Sequence, residues 1–428
     1  METLHETVVK SKELSSDWWD KFLEDTKNMT QPFHYNNVFD DHIELRHGVL
    51  EIFRKLRKGE YPFRVYIENK RRDDYNEILF ENKPEEKEDI ESWSKRIFAF
   101  QKFGIILNHG ESYDRGLSLS ILKYLKPLLD KVGYPVHGID FTIFIGNYGW
   151  TPLGIHTDNT GENVMHFHLG PGEKTMYIWD TEEFKEQGGR SNDQRIDKFL
   201  PHAKHKMTFG PGGIFFMPWN FHHIGQSEEL SVGLSVWLNR PRRDDLISKV
   251  FEEIHKEYTI KEAIRGKEDT NIPIIDLKRN LLKNDVLETV LINVNNDIKE
   301  MTVSKLIETS VRDYQYSLKS NLGYAISLKE QINNKSELTL DSYIKLDYPF
   351  DILYYTPDKE RIKIFIKGKK IEMVYHSDIK TLINRINTAQ KYKTSDLLSG
   401  LFVEWPEGAG LRILELIYEK EGILNSID

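Results

Sequence analysis

The spacing of apolar residues in the first third of the chain is mainly helical. Runs with this spacing occupy residues 15–60 and 112–132, and Ser15 is suited to cap the first of them. Short strand-like runs occupy residues 62–68 and 103–107. Residues 71–89 are crowded with charge and are predicted to form an exposed loop. We therefore predict that residues 1–135 form a helical or mixed N-terminal cap region.

Residues 136–243 have a different pattern, in which short β-rich runs are separated by glycine and proline. The runs lie at 141–145, 164–169, 175–179, 214–217 and 232–238. Several short strands with turn residues between them are typical of an all-β sandwich or barrel. This segment is the predicted catalytic core.

The remainder of the chain is predicted to mix helices and strands. In residues 244–272, a predicted helix at 244–258 carries an apolar stripe made of Leu246, Ile247, Val250, Phe251 and Ile254. Residues 273–349 are predicted to be a mixed connecting region. In 350–428, a hairpin at 361–374 precedes a helical face of Ile379, Leu382, Ile383 and Ile386, a short helix capped by Thr394, and a helix at 411–421. This last segment is predicted to be a winged-helix-like α/β appendage.

Composition removes several classes of function. The chain has no cysteine, which excludes disulfides, zinc ribbons and thiol catalysis. The net charge of -9 and the lack of a long basic block argue against nucleic acid as a partner. Residues 1–10 lack the apolar run of a signal peptide, and no stretch approaches the roughly 18 apolar residues of a membrane span. We expect a cytoplasmic protein with no membrane partner.

The candidate metal ligands lie in the β-rich segment. His156 and Asp158 are two positions apart, which places both side chains on one face of a strand. His222 follows the apolar run at 214–217. Two histidines and one carboxylate with open positions form the facial triad of non-haem Fe(II) oxygenases. We predict that these three residues are the metal ligands and catalytic residues, and that His223 is not a ligand.

A co-substrate such as 2-oxoglutarate needs a cation for its distal carboxylate. Lys174 begins the next predicted strand, and its ammonium group is a compact charge suited to a carboxylate. Four further residues are predicted to complete the co-substrate site, namely Tyr148, Thr151, Asn163 and Ser235. Trp237 lies on the same predicted strand as Ser235; both are candidates to line the pocket, and Trp237 is expected to be a core residue rather than a ligand.

These motifs, taken in order, resemble a known family. Gly-Trp-Thr-Pro from Gly149, His-Thr-Asp from His156, the lysine strand, and Pro-x-x-x-His-His from Pro218 are similar to JmjC/cupin-like Fe(II)/2-oxoglutarate-dependent oxygenases. The resemblance is greatest to their protein-hydroxylase branch, meaning the asparaginyl and bacterial ribosomal-protein hydroxylases, and it covers roughly residues 139–240. The chain departs from the pattern at Thr151, which lies further from His156 than the usual co-substrate threonine.

The resemblance implies a double-stranded β-helix (cupin/jelly-roll) core that binds Fe(II), 2-oxoglutarate and O2. It implies hydroxylation of a protein or peptide side chain, with succinate and CO2 as co-products; demethylation begins with the same step. It also implies that the helix at 244–258 mediates a homodimer.

Two other interpretations remain open. His166, His168 and Glu173 resemble the metal motif of germin-type cupins, which would make the protein a non-oxygenase enzyme that uses Mn or Zn. Alternatively, the β-rich core is retained as a binding module without catalysis. Metal content and Fe(II)-dependent succinate formation distinguish the oxygenase, the germin-type enzyme and the binding module.

Overall fold

The computed structural model describes residues 14–59, 63–239, 242–258, 302–326 and 337–425. They fall into two compact units, one within Met1–Arg240 and Gly323–Asn334, and the other within Pro241–Leu322 and Lys335–Asp428. The five-part division predicted above stays a prediction, and the sequence predictions for residues 1–10 and 262–273 lie outside the described residues.

The first unit contains helices as well as sheets. In chain order they are α1 Ser16–Asp25, α2 His42–Arg54, α3 Tyr75–Glu81, α4 Ile90–Phe98, α5 Arg115–Val132, α6 Thr181–Glu186 and α7 Ile196–Phe199. Ser15 caps α1 as predicted, because its hydroxyl accepts a hydrogen bond from the Trp18 amide at 3.2 Å. The loop predicted at 71–89 is partly wrong: α3 forms there and buries Leu79 completely.

The strands of the first unit form two antiparallel sheets. In chain order they are β1 Phe33–Tyr35, β2 Phe63–Ile67, β3 Lys70–Arg71, β4 Phe103–Leu107, β5 Ile139–Gly146, β6 Gly149–Trp150, β7 Glu162–Pro171, β8 Lys174–Asp180, β9 His205–Phe209, β10 Gly213–Met217, β11 Phe221–Ser227 and β12 Ser231–Asn239. The large sheet has the order β1-β10-β7-β12-β5-β4-β2-β3, and the small sheet has the order β6-β11-β8-β9.

Between β5 and β12 the chain passes repeatedly from one sheet to the other. Strands β5, β7, β10 and β12 lie side by side in the large sheet, whereas β6, β8, β9 and β11 make up the small one. This is a jelly-roll-like core of two facing sheets, which confirms the β-rich fold predicted from the sequence. Strands β1 to β4 widen the large sheet, with β4 pairing to β5, so the N-terminal region contributes strands as well as helices.

The second unit combines helices with two small sheets. Its elements are α8 Arg243–Tyr258, α9 Val303–Ser320, β13 Tyr343–Leu346, β14 Leu353–Tyr355, β15 Arg361–Ile366, β16 Lys369–Val374, α10 Ser377–Ile386, β17 Tyr392–Lys393, α11 Thr394–Leu398, α12 Ala409–Glu419 and β18 Ile423–Asn425. Strands β15 and β16 form the predicted hairpin, and α10 buries all four predicted residues. Thr394 is the first residue of α11 rather than its cap, which is Lys393.

No helix in the described ranges has both the length and the low polarity needed to cross a bilayer.

Candidate metal and co-substrate site

Three side chains of the first unit come together at a cavity lined by residues of both sheets. His156, Asp158 and His223 each offer a ligand atom, and these atoms all lie within 4.8 Å of one another. The loop that carries His156 is joined to β11 by two backbone hydrogen bonds, from the His156 amide to the His223 carbonyl at 3.1 Å and back at 2.8 Å. This bridge brings the two rings to 4.3 Å between centroids.

The structure places His223, not the predicted His222, in this cluster. Successive residues of a strand point to opposite faces, and His223 shares its face with Gly225. His222 lies on the other face, where its ring stacks on Phe184 at 4.4 Å and its Nδ1 lies 2.9 Å from the Thr181 hydroxyl. The converging cluster therefore contains His223, which the sequence analysis did not predict as a ligand, in place of the predicted His222.

The rings of the cluster are oriented by backbone carbonyls. His156 Nδ1 lies 2.8 Å from the Gly154 carbonyl oxygen, and His223 Nδ1 lies 3.3 Å from that of Phe221. When Nδ1 donates to these oxygens, the lone pair of each ring is left on Nε2, which is how metal-binding histidines are commonly held. Among the described residues, the buried Asp158 Oδ2 has no hydrogen-bond partner, and it lies 4.0 Å from His223 Nε2. A buried carboxylate oxygen that converges with the ligand atoms of two imidazoles fits a divalent metal ion.

Burial sets the protonation of the cluster. It lowers the pKa of His156 and of His223 to about 4, so both rings are neutral near pH 7. It also raises the pKa of Asp158 to about 7. Because metal binding requires neutral imidazole and ionised carboxylate, the histidines are ready to bind and Asp158 would release a proton on loading.

A cavity of about 160 Å³ extends from this cluster to Lys174. The Lys174 side chain is buried and donates a hydrogen bond to the Tyr148 hydroxyl at 3.0 Å. Within the described ranges it forms no ion pair with a carboxylate. Burial alone would raise the pKa of Tyr148, but the Lys174 charge and several hydrogen bonds outweigh it, and the net shift is downward. A buried ammonium group without a counter-ion is suited to an anionic ligand.

Gly225 provides the room for this arrangement. A Cβ atom at residue 225 would lie 3.0 Å from Thr151 Oγ1 and 3.2 Å from Lys174 Cε. A side chain there would press on both groups. The glycine also lies two residues after His223, on the same strand face, and is a sequence signal that could have pointed to His223 as a member of the cluster.

The other predicted co-substrate residues divide into two groups. Thr151 and Ser235 line the cavity, and the Thr151 hydroxyl donates to the Gly225 carbonyl at 3.0 Å. Asn163 does not line it: its Oδ1 accepts from the Trp219 amide at 3.3 Å, which positions the turn before β11. Trp237 lines the cavity, with its indole nitrogen donating to Thr142 at 3.1 Å.

The germin-type set is not assembled. The His166 and His168 rings lie 5.8 Å apart on β7, but Glu173 is exposed. Each ring is also bound to a protein group, His166 Nδ1 to Ser235 Oγ at 2.9 Å and His168 Nε2 to the Gly172 carbonyl at 2.7 Å. Among the residues that the structure describes, the three do not form a group with converging ligand atoms.

Comparisons of the sequence with known proteins give a partial match. No model of a known protein family matches the chain. A human protein, HSPB1-associated protein 1 from Homo sapiens, is 25% identical over 140 residues, which is 28% of this chain and 28% of that protein. The match thus spans little more than a quarter of the human protein's length.

Solved structures match over nearly the whole chain. The X-ray structure of Escherichia coli ycfD superposes with a TM-score of 0.51 and 13% identity, covering 95% of this chain and 98% of that one. The E. coli ribosomal oxygenase YcfD in complex with cobalt and 2-oxoglutarate, and in complex with cobalt and succinic acid, each give a TM-score of 0.50, 13% identity and coverage of 97% and 99%. The chain therefore shares the fold of a ribosomal oxygenase, the fold that its sequence motifs predict.

Proposed function

We propose that this protein is an Fe(II)- and 2-oxoglutarate-dependent dioxygenase that hydroxylates a side chain of a protein or peptide. The observation that carries the proposal is one cavity lined both by His156, Asp158 and His223 and by Lys174, whose ammonium forms no ion pair among the described residues. Support comes from the fold likeness to a ribosomal oxygenase that was crystallised with cobalt and 2-oxoglutarate.

The three clustered residues would hold the metal. When bound, Fe(II) supplies the redox chemistry by which O2 oxidises 2-oxoglutarate to succinate and CO2 and hydroxylates the substrate. The Gly154 and Phe221 carbonyls keep the two imidazoles oriented, and burial keeps them neutral.

The same cavity would hold the co-substrate. Lys174 would bind the distal carboxylate, with the Tyr148 hydroxyl beside it. The apolar side chains of Phe144, Met176 and Phe215 also line this cavity. They would keep water away from the reacting atoms and strengthen the interaction of Lys174 with a carboxylate, because screening is weak in a dry cavity.

Succinate formation tests the proposal. The full-length protein with Fe(II), ascorbate and 2-oxoglutarate should form succinate, which can be followed by proton NMR. Asp158→Asn should abolish the signal and Glu173→Gln should leave it unchanged. Loss of metal binding in Glu173→Gln, with full binding in Asp158→Asn, would favour the germin-type set instead.

We propose further that α8 mediates a homodimer, as the family resemblance implies. Leu246, Ile247 and Phe251 on α8 are 37%, 56% and 53% exposed. Light scattering should give twice the 50.4 kDa chain mass, and a variant with Ile247→Glu and Phe251→Glu should give one chain mass. A wild-type protein with the mass of one chain at high concentration would contradict this.

The winged-helix-like character of residues 350–428 is likewise a proposal. It is supported by the β15–β16 hairpin and the helices α10 and α12. We expect this segment to assist docking of a protein substrate.

A further inference from the structure

His166 is a buried polar side chain that the proposed chemistry has not yet used. It lies on β7, is 3% exposed, and lines the cavity together with Lys174 and Ser235. Its Nδ1 lies 2.9 Å from the Ser235 hydroxyl, but its Nε2 is buried and has no hydrogen-bond partner within the described residues. Buried polar atoms are nearly always hydrogen-bonded, so a partner for this nitrogen has to be accounted for.

The backbone beneath the ring is shaped to accommodate it. A Cβ atom at Gly233 would lie 2.2 Å from His166 Cε1 and 2.3 Å from Nε2. Any other residue at 233 would displace the imidazole from its position. Gly233 in the large sheet makes room for His166, as Gly225 in the small sheet makes room for Lys174.

His166 and Lys174 are on facing sheets and are electrostatically coupled. Burial, reinforced by the nearby Lys174 charge, lowers the pKa of His166 well below its usual value, so the ring is neutral. A neutral imidazole has one donor and one acceptor nitrogen. If the Ser235 hydroxyl donates to Nδ1, the ring proton is on Nε2, the nitrogen that lacks a partner.

We propose that the Nε2–H group of His166 is a second protein donor to the distal carboxylate of 2-oxoglutarate, beside Lys174. Ser235 would fix the tautomer that makes this donation available. The inference rests on the proposed function, since it assumes that 2-oxoglutarate occupies this cavity.

His168 provides a matched control on the same strand. Its ring is as deeply buried as that of His166 and likewise has one nitrogen, Nδ1, without a partner among the described residues, while its Nε2 is bound to the Gly172 carbonyl at 2.7 Å. His168 does not line the cavity. Substitution of either histidine by phenylalanine removes a buried imidazole, but only one of the two substitutions should affect ligand binding.

Calorimetric titration of the full chain loaded with Co(II) tests the inference without relying on turnover. Two ligands are compared, 2-oxoglutarate and 2-oxobutyrate, which lacks the distal carboxylate. His166→Phe should weaken 2-oxoglutarate binding about tenfold or more, the effect of losing a hydrogen bond to a charged group. It should leave the affinities for Co(II) and 2-oxobutyrate unchanged. His168→Phe should leave the affinities for Co(II), 2-oxoglutarate and 2-oxobutyrate unchanged.

Ser235→Ala keeps the ring and is the second variant, in case His166→Phe does not fold. It should also weaken 2-oxoglutarate binding, by a smaller factor than His166→Phe does. Wild-type affinity for 2-oxoglutarate in both variants, or an equal loss for both ligands, would overturn the role of His166. If Lys174→Ala weakens binding while His166→Phe does not, only this inference fails. If the wild type binds neither Co(II) nor 2-oxoglutarate, the proposed function fails as well.

Discussion

Two pairs of histidines lie in the core of the first unit, and only one of them is built like a metal site. The rings of His156 and His223 lie 4.3 Å apart, and those of His166 and His168 lie 5.8 Å apart. All four are buried deeply enough for their pKa values to fall. Burial and proximity therefore do not distinguish the pairs.

The difference lies in where the free nitrogens point. In the first pair both rings use Nδ1 to bind a backbone carbonyl, and their ligand atoms converge with that of Asp158. In the second pair the atoms without partners are Nε2 of one ring and Nδ1 of the other. In the second pair, a spacing of two residues on one strand brings the His166 and His168 rings together. In the first pair, the lone pairs converge because a backbone bridge joins the loop at His156 to β11.

The adjacent histidines of β11 give the strongest test of this comparison. His223→Ala should reduce Co(II) affinity on the order of a thousandfold, because loss of a direct ligand should exceed the 10- to 100-fold effect of losing a supporting group. His222→Ala should bind Co(II) nearly as well as the wild type, since its ring lies on the opposite strand face. Metal titration of both proteins is the measurement. Normal affinity in His223→Ala, with loss in His222→Ala, would restore the ligand set predicted from the sequence.

The pH dependence of stability distinguishes the second pair. Burial lowers the pKa of His168 to about 4, below its unfolded value of 6.5. The folded protein therefore binds fewer protons than the unfolded chain between these values, and stability is lost as pH falls through them. Between pH 7 and pH 4, the free energy of unfolding of His168→Phe should fall by less than that of the wild type, the difference being on the order of 2–3 kcal/mol.

Urea unfolding of the metal-free proteins at several pH values measures this effect. The comparison uses the change with pH, not the absolute stability, because phenylalanine leaves the Gly172 carbonyl without its partner. Parallel curves for wild type and variant would show that His168 is protonated equally in both states and would contradict its burial as a neutral ring.

Lys174 lines the same cavity as the first pair of histidines. Lys174→Ala should weaken 2-oxoglutarate binding about tenfold to a hundredfold, because a hydrogen bond to a charged group contributes about 1.5–3 kcal/mol. Co(II) affinity should remain unchanged. Lys206→Ala is the control: this lysine lies on the neighbouring β9, with its ammonium over the Tyr177 ring and outside the cavity. An equal effect of both substitutions would point to general electrostatics instead of a direct contact.

The parts of this fold that the sequence predicted are those where one physical signal dominates. β5, β7, β10 and β12 were found because they contain continuous apolar runs. β11 was missed because His222, His223 and Gln226 interrupt its apolar pattern on both faces. Helix α3 was missed because Leu79 is its one fully buried residue within a charged segment.

The candidate site was predicted only in part, for similar reasons. Lys174 could be proposed from the sequence because it is a cation at the start of an apolar strand, where it is suited to bind a carboxylate. The choice between His222 and His223 depends on strand register, which local composition does not encode. Asn163 has the right chemistry and lies near the motif, but its side chain is used by the Trp219 amide, a contact that only the fold reveals.

The most direct test of the account is a crystal of the full chain with Co(II) and 2-oxoglutarate, measured at the cobalt absorption edge. We expect an anomalous peak bounded by His156, Asp158 and His223, with the distal carboxylate of 2-oxoglutarate beside Lys174. A peak between His166 and His168, or beside His222, with no density near Asp158, would contradict it.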